Sequence, residues 1–231
     1  MTRSTGYLIT FEGTEGSGKT TQAEGLEKFL KNKGWQCKLT REPGGTLVGD
    51  QVRKILLSSE NNELTPLGEL FLYEASRVQH VLQVIEPALE KGMVVLCDRF
   101  CDATLAYQGY ARHLDLKMVE HLNRLASQGI VPDLTLLLDC PVEMGLGRAS
   151  QRIDAREPAA KEDRFERESI AFHQRVREGY LQIARNHPGR IRVIDASLKA
   201  PEVHRTVCNV VEPILREVLA QGGSVSGLGR E

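Results

Sequence analysis

The sequence lacks the features of secreted, membrane-spanning and nucleic-acid-binding proteins. No run of about 18 apolar residues occurs, and residues 1–6 contain no apolar stretch of signal-peptide length. Neither sign of charge is in excess, because 30 Lys and Arg residues accompany 31 Asp and Glu residues, for a net charge of -1. We therefore expect no membrane association, no secretion and no global attraction to nucleic acid.

Cysteine is scarce, and its spacing matches neither a metal site nor a disulfide framework. The five cysteines are odd in number and contain no C-x-x-C pair. Reduced thiols in a cytoplasmic protein are the expected state.

With 231 residues and 41% hydrophobic residues, the chain suits one domain, which we place at residues 1–220. Residues 221–231 are rich in glycine and are expected to form a flexible tail.

One motif is present without a mismatch, the phosphate-binding pattern G-x-x-x-x-G-K-[ST]. It lies between an apolar strand, residues 7–11, and a helical pattern, residues 20–33. In such a loop the backbone N–H groups point at phosphate oxygens, Lys19 reaches the β- and γ-phosphates, and the Thr20 hydroxyl can ligate Mg²⁺. The predicted ATP-binding residues of the loop are Gly13, Thr14, Glu15, Gly16, Ser17, Gly18, Lys19, Thr20 and Thr21.

Strands and helices alternate along the rest of the chain. Four further apolar segments, residues 37–40, 93–97, 134–138 and 191–194, have the length and composition of strands and are separated by helical patterns. This order predicts an α/β fold with a doubly wound, five-stranded parallel sheet of the P-loop NTPase type. Ligands of such sheets bind beyond the carboxyl ends of the strands.

Residues at the strand ends limit the classes of protein to which a triphosphate-binding chain of this kind can belong. The N-K-x-D segment of guanine-binding switches does not occur at the required place, which disfavours a signalling GTPase. A small-molecule kinase is favoured, with an acceptor pocket facing the γ-phosphate. Three alternatives stay open: a kinase for another nucleotide or deoxynucleoside, a regulatory module that hydrolyses ATP slowly, and a purely structural P-loop domain.

Further segments make the likeness specific. Thr40-Arg41-Glu42-Pro43-Gly44-Gly45-Thr46, Arg77-Val78-Gln79-His80, Asp98-Arg99-Phe100 and Ala106-Tyr107-Gln108-Gly109 come after the P-loop in one order. Together they resemble the bacterial thymidylate kinase family, over nearly the whole chain. The resemblance implies a homodimer that uses ATP and Mg²⁺ to convert dTMP to dTDP for dTTP biosynthesis.

The acceptor residues are carried over by the same resemblance. Tyr73 and Arg77 lie four apart on a predicted helix, where a ring can stack on a base and a guanidinium can donate to its edge. Phe71, two residues earlier, is expected in the core. The planar fork of arginine suits the acceptor phosphate. The dTMP-binding residues implied are Glu15, Arg53, Tyr73, Arg77, Arg99, Thr104, Tyr107 and Gln108, with Tyr107 crowding the sugar 2′ position.

Two aspartates compete for the metal, since Asp98 and Asp139 each end an apolar strand. Spacing does not separate them, whereas the resemblance favours Asp98, with Thr20 as the second ligand.

A lid is expected over residues 142–165. Arg148, Arg152 and Arg156 recur every four residues in it. The resemblance assigns Arg152 to catalysis beside Lys19 and Arg99, and Arg148 to adenine stacking, with Arg164 as a weaker candidate among the lid arginines.

Overall fold

The sheet has the predicted five strands, all parallel, in the order β2-β3-β1-β4-β5. A computed structural model describes residues 6–154 and 164–220, with side chains for all of these except 152–154 and 219–220. The strands are β1 (Tyr7–Glu12), β2 (Cys37–Arg41), β3 (Val94–Asp98), β4 (Leu134–Asp139) and β5 (Ile191–Asp195). The chain order reverses beside β1, which places a crevice at its carboxyl end.

Helices cover both faces of this sheet. In the described ranges they are α1 (Lys19–Asn32), α2 (Leu47–Leu57), α3 (Pro66–His80), α4 (Glu86–Glu90), α5 (Cys101–Thr104), α6 (Leu116–Ala126), α7 (Val142–Asp154), α8 (Ile170–Asn186) and α9 (Ala200–Ala220). Side-chain caps begin several of them: the Thr46 hydroxyl accepts from the N–H of Gly49, and the Thr65 hydroxyl accepts from that of Gly68.

A π-helical turn interrupts the helical stretch between Pro66 and Glu90. This turn, Val81–Ile85, joins α3 to α4 directly before Pro87. Proline has no N–H for the carbonyl one turn earlier, so a regular α-helix cannot run through this position without loss of a hydrogen bond. A second π-helical segment, Leu105–Ala111, comes after α5 and carries two of the predicted acceptor residues.

The core forms on both sides of the sheet. On one side, Ile9 and Phe11 of β1 pack with Leu26 of α1 and Val211 of α9. On the other side, α3, α8 and the second π-helical segment meet in a separate cluster. The expectation for Phe71 is wrong, because its side chain is 54% exposed. The helix turns only its Leu70 side toward the core, and spacing alone did not reveal which apolar stripe that would be.

All five cysteines are unpaired, as expected from their spacing. Within residues 6–154 and 164–220, no helix combines the length and apolar character needed to cross a membrane. The predicted tail, residues 221–231, and residues 155–163 of the predicted lid lie outside the described residues.

Candidate active site

The P-loop connects β1 to α1 and has the backbone geometry of an anion cradle. Gly16 and Gly18 have φ values of 67° and 92°, which side-chain-bearing residues rarely adopt. Lys19 lies inside the loop, and its Nζ donates to the carbonyl oxygens of Gly13 at 3.0 Å and Thr14 at 2.7 Å. Burial, together with the charge of Arg99, lowers the pKa of Lys19 to about 8. The first turn of α1 therefore offers N–H groups and a cation to a phosphate chain.

The two candidate metal ligands differ in their surroundings. The Thr20 hydroxyl donates to Asp98 Oδ2 at 2.5 Å, so both predicted ligands lie side by side at the P-loop. Asp139 instead forms a two-pronged ion pair with Arg177 of α8, at 2.7 and 2.8 Å. Because its oxygens are engaged there, the geometry favours Asp98.

This pair of oxygen ligands fits magnesium. Within the part of the chain that the structure describes, no group of three His, Cys, Asp or Glu side chains could hold a metal ion. Mg²⁺ does not require such a group, because it keeps several waters and takes its remaining oxygens from one or two carboxylates and substrate phosphates. The hydroxyl of Thr20 and the carboxylate of Asp98 supply that kind of partial ligand set.

Arg99 lies at the centre of a hydrogen-bonded network at the carboxyl end of β3. Its φ of 69° is rare for a residue with a side chain, and such backbone strain concentrates at functional sites. One terminal nitrogen donates to the Tyr180 hydroxyl at 3.1 Å; the other donates to the Tyr107 hydroxyl and to Glu15 Oε1, both at 3.0 Å. The guanidinium is thus held in one orientation at the edge of the crevice.

Glu15 carries a charge on the acceptor side of the P-loop. Its Oε1 accepts a hydrogen bond from the Tyr107 hydroxyl at 2.6 Å, and its Oε2 lies 3.2 Å from Nδ1 of His173. Burial raises the pKa of Glu15, but the nearby His173 ring and the charges of Arg99 and Lys19 outweigh it and hold the pKa well below its usual range. Glu15 is therefore an ionised, oriented acceptor of hydrogen bonds near neutral pH.

Glu12, at the end of β1, behaves in the opposite way. Its carboxyl accepts from the N–H of Phe100 and from the Tyr180 hydroxyl, both at 2.7 Å. Burial and the nearby charge of Asp102 raise the pKa of Glu12 to about 8, against the lowering effect of Arg99. Two glutamates three residues apart thus support Arg99 from two sides, one through each tyrosine hydroxyl.

Sequence reasoning did not select Tyr180 and His173. Both lie on α8, seven residues apart on the same stripe as buried Val176. Polar side chains at core-facing helical positions are uncommon without a partner, and this is the signal that could have found them. The role of Glu12 was also missed, although it precedes the P-loop.

Aromatic side chains form part of the cavity wall beside Arg99, whose guanidinium lies 4.8 Å from the ring centroid of Tyr107. The ring of Phe165 lies edge-on to that of Tyr107, with centroids 5.4 Å apart, and 6.5 Å from the ring of Tyr73. Tyr73 projects from α3, as its predicted role requires. Phe165 ends the predicted lid and was not selected from the sequence, yet it is 4% exposed and lines the same space.

Arg77 is at the pocket wall, but its donors are engaged. It is 1% exposed and makes five hydrogen bonds, equal to the number of N–H groups in a guanidinium. The acceptors are Glu42 Oε2, Glu74 Oε2, Asn123 Oδ1, the Phe100 carbonyl and Thr104 Oγ1. The predicted base contact of Arg77 therefore requires one of these bonds to be shared, a constraint that helical spacing could not reveal.

A buried glutamate organises the lower part of the pocket. Glu69 accepts from Gln108 Nε2 at 2.7 Å and from Arg164 at 2.6 Å. Arg164 also donates to the carbonyl of Leu56, so its guanidinium fastens the end of the predicted lid to α2 and α3. This is a structural position, and it accounts for Arg164 without a catalytic role.

One cavity of about 430 Å³ connects these groups. The P-loop contributes residues 15, 16 and 18–21 to its lining, and Asp98 lies beside them. Every residue predicted for the acceptor also lines it: Glu15, Arg53, Tyr73, Arg77, Arg99, Thr104, Tyr107 and Gln108. Arg53 donates from Nη1 to the carbonyl of Pro43, whose peptide bond with Glu42 is cis. Donor and acceptor groups predicted from separate segments thus share one space.

Helix α7 forms the first part of the predicted lid. Arg148 donates to the carbonyl oxygens of Ala196, at 2.8 Å, and Ser197, at 3.2 Å, in the loop after β5. Arg152 lies in the last turn of α7, and its side chain is outside the described set. The remaining lid residues, 155–163, are likewise not described.

A phosphate-binding loop that shares one cavity with several arginines is the arrangement of a P-loop phosphotransferase. Comparisons with known proteins agree with this class. A family model described as thymidylate kinase matches residues 11–207. The thymidylate kinase of Trichlorobacter lovleyi is 54% identical over 204 residues, which cover 88% of this chain and 96% of that protein. That of Geobacter sp. strain M21 is 54% identical over 94% of this chain and 95% of its own length.

A solved structure is similar as well. The crystal structure of thymidylate kinase from Ehrlichia chaffeensis has a TM-score of 0.71 and 33% sequence identity, covering 89% of this chain and 98% of its own. The chain therefore belongs to the thymidylate kinase family, and it is a nucleoside monophosphate kinase.

Proposed function

We propose that the protein transfers the γ-phosphoryl group of ATP to the 5′-phosphate of dTMP. Membership of the thymidylate kinase family supports this reaction. The observation that carries the proposal is that Lys19 and Arg99 line the same cavity. Because phosphoryl transfer is mostly positioning and neutralisation of charge, two phosphate-binding groups in one space are its central requirement.

The donor half consists of the P-loop and the beginning of α1. Backbone N–H groups of residues 13–21 hold the β- and γ-phosphates, and Lys19 exchanges its carbonyl partners for phosphate oxygens. Thr20 and Asp98 would hold Mg²⁺, which when bound neutralises phosphate charge. The lid would supply further arginines, with Arg152 assigned to the transferring phosphoryl group and Arg148 to the adenine.

The acceptor half is organised around Arg99. Its guanidinium is fixed by Glu15, Tyr107 and Tyr180 and would bind the dTMP phosphate, with Arg53 as a second cation. The attacking group is a phosphate oxygen, which is already largely anionic at neutral pH, so no general base is required. Proximity and charge compensation by these side chains therefore account for the reaction.

Recognition of the nucleoside falls to the aromatic wall. The ring of Tyr73 would stack on the base, and Thr104 and Gln108 would bind its polar edge. Arg77 donates to Thr104 Oγ1 at 2.8 Å, which leaves the Thr104 O–H free to donate to another group. Tyr107 is held by Glu15, so its ring and hydroxyl occupy space beside the sugar and would exclude a 2′-hydroxyl. Glu15 would accept from the 3′-hydroxyl.

The predicted homodimer forms through α2 and α3. Large apolar side chains on these two helices and the turn after α3 are exposed: Leu47 79%, Val48 49%, Ile55 45%, Leu67 42%, Phe71 54% and Leu82 48%. So much exposed apolar surface on neighbouring helices is typical of an interface, and a symmetric pair would bury it. Light scattering of the purified protein should give twice the chain mass of 25.7 kDa.

A coupled assay of ADP release tests the proposed reaction. Initial rates with dTMP, dUMP, dCMP, UMP and thymidine are compared at equal concentration with ATP·Mg²⁺. We expect dTMP to give the highest kcat/KM. A clear preference for another acceptor would contradict the assignment, and ADP release that is equally fast without any acceptor would indicate an ATPase module instead.

A further inference from the structure

Helix α7 rests directly on the P-loop at a contact between two backbones. A Cβ atom added to Gly145 would overlap the carbonyl oxygen of Glu15. In the other direction, a Cβ atom on Gly16 would overlap the carbonyl oxygen of Gly145 and lie 3.1 Å from the backbone nitrogen of Ala149. Gly145 and Ala149 are four apart, so the face of α7 toward the P-loop is built from the two smallest residues.

Local backbone conformation does not require glycine at position 145. Gly145 has a helical backbone and is not among the residues with positive φ. Glycine inside a helix costs about 1 kcal/mol relative to alanine, and at position 145 the close approach of the Glu15 carbonyl gives a packing reason for it. Gly147, two residues further along the same helix, has no atom within 4 Å of an added Cβ. The steric requirement is therefore specific to the side of α7 that faces the P-loop.

The contact joins the two parts of the site that must be aligned for transfer. The carbonyl of Glu15 touches α7, while its carboxylate holds Arg99 and Tyr107 on the acceptor side. One turn beyond Gly145, Arg148 attaches α7 to the loop after β5. Helix α7 is thus fixed at two points before it reaches the turn that contains Arg152.

We propose that Gly145 is a positioning residue for phosphoryl transfer. Because it has no side chain, α7 packs against the Glu15 carbonyl, and this sets the distance between the arginine-bearing turns of α7 and the phosphates on the P-loop. The inference rests on the proposed function, since it assumes ATP on the P-loop and lid arginines on the γ-phosphate. A methyl group at this position must separate α7 from the P-loop until carbon and oxygen reach van der Waals contact.

Gly145→Ala and Gly147→Ala form a matched pair for the test. Both substitutions add one methyl group to the same helix, and only the first meets the P-loop. We expect Gly145→Ala to lower kcat about 10- to 100-fold, the effect of misplacing catalytic groups by about 1 Å, with a KM for dTMP within about twofold of the unmodified protein. Gly147→Ala should keep both constants within about twofold and raise the Tm.

The split between kcat and KM separates positioning from a general loss of structure. A Gly145→Ala protein that melts near the unmodified Tm and keeps its kcat would overturn the proposal. A change confined to the KM for dTMP would also overturn it, because the contact would then serve the acceptor side alone. Equal losses of kcat in Gly145→Ala and Gly147→Ala would also overturn the proposal, because only the first substitution meets the P-loop.

Hydrogen exchange of the unmodified protein tests the contact even where Gly145→Ala does not fold. Addition of ADP should slow amide exchange in the P-loop and in the first two turns of α7 together, since the two backbones touch. Slower exchange in the P-loop with no change in α7 would overturn the coupling. Failure of the proposed function is distinguishable, because the unmodified protein would then not phosphorylate dTMP at all.

Discussion

Replacing Glu12 by glutamine should remove a pH-dependent loss of stability. The Glu12 carboxyl is fully buried and accepts from the Phe100 N–H and the Tyr180 hydroxyl. Burial and the charge of Asp102 raise its pKa from 4.5 to about 8. In the folded protein the group therefore keeps its proton up to about pH 8, whereas in the unfolded chain it loses the proton near pH 4.5.

Proton linkage gives the sign and size of the effect. Between the two pKa values the folded state binds more protons, so the free energy of unfolding falls as the pH rises. The stabilising contribution is complete below pH 4.5 and is lost as the pH passes about 8. At 1.36 kcal/mol per pKa unit, the fall between pH 5.5 and pH 8 amounts to at most about 3 kcal/mol. Glutamine has no proton to lose. The substitution lowers the stability by about 1 kcal/mol at both pH values, because the hydrogen bond from the Tyr180 hydroxyl is weakened.

Urea unfolding at pH 5.5 and pH 8 measures this difference. The single tryptophan, Trp35, is 5% exposed and serves as the fluorescence probe. The stability of Glu12→Gln relative to the unmodified protein should rise by about 2 kcal/mol or more between the two pH values. A relative stability that is the same at both pH values, within about 0.5 kcal/mol, would refute the reasoning.

Glu42→Gln is the control, because the pKa of Glu42 is shifted in the opposite direction to that of Glu12. Burial raises the pKa of Glu42, but the charges and hydrogen bonds of Arg77 and His80 outweigh it and lower the pKa below its usual range. The stability that this carboxylate contributes is present above its unfolded pKa and is lost only as the pH falls through the folded one. Glu42→Gln should therefore cost about 3–5 kcal/mol at both pH values, because Arg77 loses a buried counter-charge.

Three further predictions concern the reaction. Lys19→Ala should abolish turnover, whereas Arg152→Ala should lower kcat with little change in KM for dTMP; a near-normal kcat in the second variant would remove Arg152 from catalysis. Asp98→Asn should raise the Mg²⁺ concentration required for half-maximal rate at least tenfold, while Asp139→Asn should leave it within about twofold, and the reverse order in a Mg²⁺ titration would reassign the metal ligand. Tyr107→Phe should lower the ratio of kcat/KM for dTMP to kcat/KM for the ribonucleotide UMP, because the hydroxyl proposed to lie beside the sugar is lost. An unchanged ratio would exclude the Tyr107 hydroxyl from sugar selection.

Much of the fold could be predicted from local patterns. Apolar segments bounded by breakers located all five strands to within a residue, and the P-loop motif located the donor half of the cavity. These features depend on neighbours in the chain, which the sequence shows directly. Helix faces were less predictable, because Phe71 and Leu70 are adjacent and equally apolar, and only packing decides that Leu70 is buried while Phe71 is exposed.

The candidate site divides in the same way. Part of its lining could be predicted from the sequence, since all eight predicted acceptor residues line the cavity, whereas Phe165 was missed. The hydrogen bonds and ion pairs among the site residues could not be predicted. The engagement of Arg77 by four acceptors outside its own helix, and of Asp139 by Arg177, depends on elements distant in the chain. So does the support of Arg99 by Tyr180, more than 80 residues away.

The sequence by itself determined the class of fold and the phosphate-binding loop, because these are encoded by short-range periodicity and by a contiguous motif, and its resemblance to a known family supplied the predicted acceptor residues. Only the tertiary structure decided how those residues are used together. It paired Thr20 with Asp98, gave Glu12 and Glu15 opposite protonation behaviour, and brought Gly145 against the P-loop. Partner choice, burial and close backbone approach arise from contacts between distant segments, and no local pattern specifies them.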